Sequence, residues 1–242
     1  MDPRWRVCVW GIVLRRFLIA AACAALATPA FAANIVNGDF EAGNTGFISA
    51  YDYVAPDPHA NTLAGQYSVF TSGYPWNPNF ADLKDDTTGH GKYMIVNGSG
   101  STADVVWRNT DPVHLSAGNY AFHFALADVC CNMNAYQGHD PSPPTLKVNL
   151  NSTTISMADA TISGSGVWKQ VTENFTVGAG GANATFSIYD TNPVGEGNDF
   201  GLDDIRLTGG VPEPASWALM VLGFGGLGAA LRSRRRGAAA TA

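Results

Sequence analysis

The chain is short of cysteine, short of cations through its middle, and without any motif that organises catalysis. It holds four cysteines in 242 residues, and Cys8 and Cys23 lie in an N-terminal apolar stretch. Only the adjacent pair Cys130-Cys131 is left for the rest, so a disulfide framework is excluded. Adjacent Cα atoms stand ~3.8 Å apart across a trans peptide, below the usual disulfide span, which leaves two free thiols, an intermolecular bond and a strained vicinal bond all open. The pair is no metal site by sequence, because no second cysteine pair exists and His139 lacks metal-ligand spacing. There is no His-Glu-x-x-His and no Gly-x-Ser-x-Gly. The one Gly-x-Gly-x-x-Gly, Gly223 to Gly228, lies in an apolar tail with no strand before it, where glycine serves helix packing. Nothing singles out the two carboxylates, ~5 to 10 Å apart, that a glycoside hydrolase needs. The chain therefore reads as non-catalytic.

Positive charge is confined to the ends. Eight of the fourteen Lys and Arg residues fall before residue 17 or after residue 231, and the stretch Ala33 to Gly210 keeps six against eighteen Asp and Glu, a net charge of −12. Such a body repels nucleic acid and anionic membrane surfaces and attracts hard cations. Its 178 residues suit one domain with a sizeable core.

Both ends read as addresses. Arg4, Arg6, Arg15 and Arg16 precede the apolar run Phe17 to Ala27, and Ala30-Phe31-Ala32 has the small-x-small pattern of a signal-peptidase site, so residues 1–32 are expected to be a signal peptide helix and the mature chain to begin at Ala33 or Asn34. Arg15-Arg16 before Phe17-Leu18 also resembles a twin-arginine signal, and the general and folded-export routes both stay open. At the other end Pro212-Glu213-Pro214 is followed by the uncharged run Ala215 to Leu231 and by Arg232, Arg234, Arg235 and Arg236. That run of 17 residues makes about 25 Å of helix, barely a bilayer span, with its arginines stopping on the cytoplasmic side. The tail, residues 211–236, resembles the PEP-CTERM sorting signal. The resemblance implies recognition by an exosortase, passage through the secretion machinery, a transient or permanent membrane anchor at 215–231, and a destination at the cell surface or in the extracellular matrix. Residues 237–242 are expected to be a disordered terminus.

Between the ends the pattern is strand-like. Tyr120, Phe122, Phe124 and Leu126 alternate with Ala121, His123, Ala125 and Ala127, giving one bulky face and one small one. Further strands are expected over Lys92 to Asn97, Asp104 to Asn109, Thr145 to Asn151, Trp168 to Val177, Ala184 to Asp190 and Phe200 to Leu207. Many short strands separated by Gly, Asn, Asp, Ser and Pro imply an all-β sandwich. Tyr51 to Gly91 and Cys130 to Pro144 are too long for hairpin turns and mark functional loops.

Asn37-Gly38-Asp39-Phe40-Glu41 near the mature start and Asn198-Asp199-Phe200-Gly201-Leu202-Asp203-Asp204-Ile205 near the domain end resemble the frame of jelly-roll carbohydrate-binding modules and galactose-binding-like domains. The resemblance implies a jelly-roll β-sandwich with first and last strands side by side, and a structural calcium ion between them, for which Asp39, Glu41 and Asp203 are the expected ligands. Neighbouring residues on a strand face opposite ways, so Asp203 and Asp204 share an ion only if the strand bulges. A plain turn at Asn37-Gly38-Asp39 is compatible with either outcome. Asp85 to Gly91 is a second oxygen-rich segment with the ligands for a second ion, and its composition reads first as a solvated turn.

Sugar binding asks for exposed aromatic faces beside amides and carboxylates. Tyr74 and Trp76 in one loop, and Tyr136 with Gln137, His139 and Asp140 in the other, are the expected ligand residues, whereas Trp107 and Trp168 read as core. The functional expectation is an exported binding module for glycan or exopolysaccharide. A structural matrix protein without a discrete site is the alternative, and a hydrolase or an ice-binding protein stands further off.

Overall fold

In the computed structural model the described residues are 35–57, 63–131, 142–151, 166–209, 222–228 and 232, with the backbone of 153–158. The expected signal peptide with Ala30 and Ala32, the motif Pro212-Glu213-Pro214, and Tyr136 lie outside them. Of the apolar run Ala215 to Leu231 only 222–228 is described, and it is helical. Among the described residues no helix is long and apolar enough to cross a membrane.

The chain is built from β1 (Phe47–Ile48), β2 (Asp52–Tyr53), β3 (Gln66–Phe70), α1 (Gly73–Trp76), β4 (Tyr93–Asn97), β5 (Val105–Asn109), β6 (Val113–Leu115), β7 (Gly118–Asp128), β8 (Leu146–Leu150), β9 (Thr153–Ala158), β10 (Trp168–Val177), β11 (Ala182–Ala184), β12 (Phe186–Asp190) and β13 (Phe200–Gly209). A five-stranded sheet runs β1-β5-β12-β8-β9, a six-stranded sheet runs β10-β7-β13-β4-β3-β2, and β11 pairs with β6. This is the expected jelly-roll sandwich. Every strand expected from the sequence forms, while the short β1, β2, β3, β6, β9 and β11 carried no clear alternation of their own.

β7 makes the core because its bulky residues share one face. Phe122, Phe124 and Leu126 are buried with Trp107, Phe186, Ile188, Leu146 and Val148 from the opposing sheet. The Phe122 and Phe186 rings stack with centroids 4.7 Å apart. Each such ring removed from water contributes about 1.5–3 kcal/mol. β4 is apolar at every position from Tyr93 to Val96, as a strand covered on both faces should be. Met94 and Val96 enter the main core. Tyr93 and Ile95 point the other way into a second cluster with Trp76, Phe80, Leu83, Ala127 and Val129.

The last strand bulges. β13 turns Phe200 and Leu202 inward, then Ile205 and Leu207, so the inward parity slips by one residue. The register against β7 shifts between Asp203 and Arg206, and Asp204 absorbs the extra residue at φ 48°. The expectation of adjoining first and last strands is corrected in one respect. The segment before β1, not β1 itself, lies against β13, where the Ile205 N–H donates to Gly38 O at 2.8 Å, whereas β1 pairs with β5 in the other sheet. Asn37 forms the expected turn, in the left-handed region at φ 51°, with its amide holding Gly43 O and Thr45 O.

Cys130 and Cys131 are bonded to each other and both are buried, which is the vicinal bond among the three options the spacing left open. In the mature exported protein neither sulfur should react with a thiol reagent until a reductant is added. Two free thiols in the unreduced protein would contradict the bond.

Candidate functional site

The outer face of the six-stranded sheet divides into a covered half and an open half. The segment after β3 folds back over the sheet and lays Trp76, Phe80 and Leu83 onto Tyr93, Ile95 and Ala127, with Phe70 and Trp168 at the margin. Tyr93 fixes this cover: its hydroxyl accepts the Gly73 N–H at 2.9 Å and donates to Leu83 O at 3.3 Å. Trp168 closes the side by donating its indole N–H to Lys84 O at 2.6 Å. The Trp168 and Tyr93 rings meet edge to face at 5.3 Å. Gly201 passes beneath them, where a Cβ would lie 2.9 Å from Trp168 Cη2 and 3.0 Å from Tyr93 Cε2, so no larger residue fits without displacing the rings.

This cover corrects the expectation for Trp76. Its side chain is 0% exposed, and its ring packs 5.9 Å from Phe80. A sugar ring cannot stack on a face that is already buried. Tyr74 on the same helix is 44% exposed, with no ring partner among the described residues. Trp107 is core as expected; Trp168 is half-buried on the outer face.

The open half is polar and small. β10 presents Gln170, Thr172, Asn174 and Thr176 outward, alternating with Val171, Phe175 and Val177 toward the core. Cross-strand register sets Thr172 beside His123 and Asn174 beside Ala121, and continues to Arg206 and Thr208 on β13. His123 sits at the centre. Its Nδ1 lies 3.0 Å from Thr172 Oγ1 and its Nε2 2.8 Å from Thr208 Oγ1. Burial, helped by the nearby Arg206, holds its pKa below the ordinary imidazole value, so the ring is neutral at pH 7 and offers one donor and one acceptor to the two hydroxyls. Thr176 donates to Asn119 Oδ1 at 2.8 Å. Hydroxyl, amide and imidazole groups thus form a patch across three strands, with the exposed Arg206 on its β13 side.

Acidic residues wall one end of the patch. Asp203 is fully buried, and its carboxylate accepts the N–H groups of Asp86 at 2.7 Å and Thr87 at 3.1 Å through Oδ2, and of Asp204 at 2.8 Å through Oδ1. Burial outweighs these donors and pushes its pKa up to about 7, with the Asp85 charge adding to the rise. Asp85 resolves the same competition the other way. Burial opposes its ionisation, but the N–H groups of Thr88 and Gly91 and the Thr88 hydroxyl hold its carboxyl below the usual range. The segment Asp85 to Gly91 is the turn its composition indicates, exposed at Thr87, Thr88 and His90, and the buried Asp85 makes it a clasp by holding its backbone N–H groups. Gln170 donates to Asp86 Oδ2 and ties the clasp to β10.

Of the three expected calcium ligands, two reach this clasp and one does not. Asp203 holds its start, and Glu41 holds its end by accepting the Lys92 N–H at 3.0 Å. Asp39 is exposed and its Oδ1 accepts the Glu41 N–H at 3.4 Å within the first turn. Among the described residues no three His, Cys, Asp or Glu side chains gather as a metal-binding group. The three-carboxylate set reduces to Asp203 and Glu41. Their chemistry still suits a hard cation, since Asp203 is a buried carboxylate with no cationic partner and another carboxylate beside it.

Residues 210–236 match the PEP-CTERM protein-sorting motif. The motif marks the chain for secretion with a transient membrane anchor and for processing by an exosortase. No curated protein matches the chain. Among solved structures, the chain is similar to a cyclase from Fischerella sp. TAU in complex with 4-(1H-indol-3-yl)butan-2-one, with a TM-score of 0.52 and 18% identity over 74% of this chain and 98% of that one. It is also similar to the CBM22-1–GH10 modules of Clostridium thermocellum xylanase 10B complexed with xylohexaose, with a TM-score of 0.44 and 14% identity over 73% of this chain and 28% of that one. A family 16 carbohydrate-binding module gives a TM-score of 0.41 and 15% identity over 72% of this chain and 98% of that one. At such identities the cyclase likeness speaks to the fold alone.

Replacing Trp76 by Ala should cost about 3–5 kcal/mol of unfolding free energy, while Tyr74→Ala should change it by less than about 0.5 kcal/mol. Denaturant titration of the two variants measures this, and a Trp76→Ala domain as stable as the parent would contradict the covered half.

Proposed function

We propose that the domain is a non-catalytic glycan-binding module, and that the open half of the six-stranded sheet, rather than the aromatic loop, is its ligand surface. The observation that carries the reading is the row of outward hydroxyl, amide and imidazole groups centred on His123, Thr172, Asn174 and Thr208. A polysaccharide is a ladder of hydroxyls, each able to donate and accept. A neutral His123 and its threonine partners match that ladder by exchanging partners, and Ala121 leaves room for a ring to lie close to the sheet. The destination supports the same reading, since an exosortase-processed protein is released where extracellular polysaccharide is. In affinity electrophoresis, neutral polysaccharides such as xylan should retard the mature domain. Asn174→Ala with Thr172→Ala should abolish the retardation, and Tyr74→Ala should leave it. The reading fails if no neutral polysaccharide retards the domain, or if the Tyr74 variant alone loses it.

We propose further that a structural calcium ion belongs to the clasp. Asp203 and Glu41 would hold it with backbone oxygens, and its charge would keep the Asp203 carboxylate ionised and bind the clasp to the sheet edge. Without a cation the sign of the pH dependence is fixed by three carboxyls that burial raises, Asp190, Asp203 and Asp204. Burial pushes Asp190 to about 6 and Asp203 to about 7, above the 3.8 of an unfolded aspartate. Their contribution to stability is fully present below that value and is lost as pH rises through 6 and 7. In a chelator the melting temperature should therefore fall between about pH 5 and pH 8. Calcium should offset the fall, and Asp203→Asn should remove the response to calcium. Identical melting curves with calcium and with chelator at pH 7.5 would refute the ion.

A further inference from the structure

Two of the domain's cations, Arg108 and Lys147, stand on the opposite side of the sandwich. Ala33 to Gly210 contains six Lys and Arg residues. Lys84 pairs with Asp82 at 3.6 Å and Arg206 with Asp204 at 3.4 Å. Lys92 donates to Glu41 O at 3.2 Å, and Lys169 is also engaged. Arg108 and Lys147 take part in no ion pair among the described residues. Both belong to the five-stranded sheet, on β5 and β8, the two neighbours of β12.

The register puts them on one face. Trp107, Ile188 and Val148 point into the core, so Arg108, Ser187, Tyr189, Lys147 and Asn149 point outward. Ser187 is in register with Arg108 on one side and Asn149 on the other, and Tyr189 with Lys147. The Lys147 ammonium lies 4.7 Å from the Tyr189 ring centroid, which fixes its direction. The Asn149 Oδ1 is buried with no donor. β5 and β8 are each one strand from β12, and the two residues are staggered by two positions along it, so the charged side chains spring from backbones about 12 Å apart. A body with three times as many acids as bases thus places two of its six cations on one face, on either side of Tyr189 and the buried Ser187.

We infer that this second face binds a carboxylate-bearing glycan, a polysaccharide containing uronic acid residues, independently of the neutral-glycan surface on the other sheet. The Arg108 guanidinium can take a carboxylate through two parallel N–H···O bonds. Lys147 supplies a second charge further along the polymer, and Tyr189 a flat apolar surface for ring C–H groups. The charge spacing decides between polymers. Nucleic acid carries a charge every ~1.7 Å of duplex axis and would meet the acidic remainder of the domain, whereas a polyuronate carries one per sugar. With the first surface, this face would let one domain bridge two polysaccharide chains.

Affinity electrophoresis of the mature domain in polygalacturonate, in xylan and in duplex DNA tests the inference. Polygalacturonate should retard the domain at about 20 mM salt and release it near 0.5 M, because the Debye length shrinks several-fold over that range. Arg108→Gln with Lys147→Gln should weaken that binding roughly tenfold or more, for two lost charge-assisted contacts, and leave xylan binding unchanged. Asn174→Ala with Thr172→Ala should do the reverse, so failure of one surface is distinguishable from failure of the other. Should the double variant melt early, the single Arg108→Gln change gives the same readout. No retardation in polygalacturonate at low salt, equal retardation of the variant, or equal retardation by DNA would each overturn it.

Discussion

The docking of Trp76, Phe80 and Leu83 onto Tyr93, Ile95 and Ala127 is the contact on which the candidate site depends. It divides one sheet face into a dry half and a wet half. A full indole and a phenyl ring removed from water contribute several kcal/mol, enough to fix a long segment that has only a four-residue helix of its own. The cover also consumes the aromatic groups that composition offers to a sugar. What is left for a ligand is the polar remainder of β10, β7 and β13.

A second constraint is electrostatic. The clasp at Asp85 to Gly91 is held by carboxylates whose oxygens accept backbone N–H groups, and two of those carboxylates come from opposite ends of the domain, Glu41 and Asp203. Asp203 carries the larger strain of charge because it is buried beside Asp85. The bulge at Asp204 makes this possible, since it lets Asp203 turn into the clasp while Asp204 pairs with Arg206 on the outside. The same two positions link the acidic edge to the polar patch, through Gln170 on Asp86 and Arg206 beside His123.

Much of the fold was legible in the chain. The alternation of β7 and of β10 shows one face buried and one open, and the unbroken apolar run of β4 is the mark of a strand covered twice. The missed strands are short, and their residues serve pairing more than burial, so no period of two emerges. The site was less legible. Trp76 in a Pro- and Asn-rich loop looks exposed, and only the length of that loop, Tyr51 to Gly91, signals that it has a face to cover. The outward residues of β10, Gln170-x-Thr172-x-Asn174-x-Thr176, are present in the expected strand as a polar alternation that any solvent-facing strand shows. Their partners on β13 lie beyond a bulge that shifts parity, and no strand pattern predicts that shift.

The division of the sheet face also makes the proposed ligand surface directly testable. Backbone amide spectra of the mature domain, titrated with a soluble neutral oligosaccharide such as xylohexaose, would locate contact residue by residue. Shifts concentrated at 119–123, 170–176 and 206–208 are expected if the uncovered half is the binding surface. Shifts confined to the 71–80 segment around Tyr74, with the three strands silent, would contradict it.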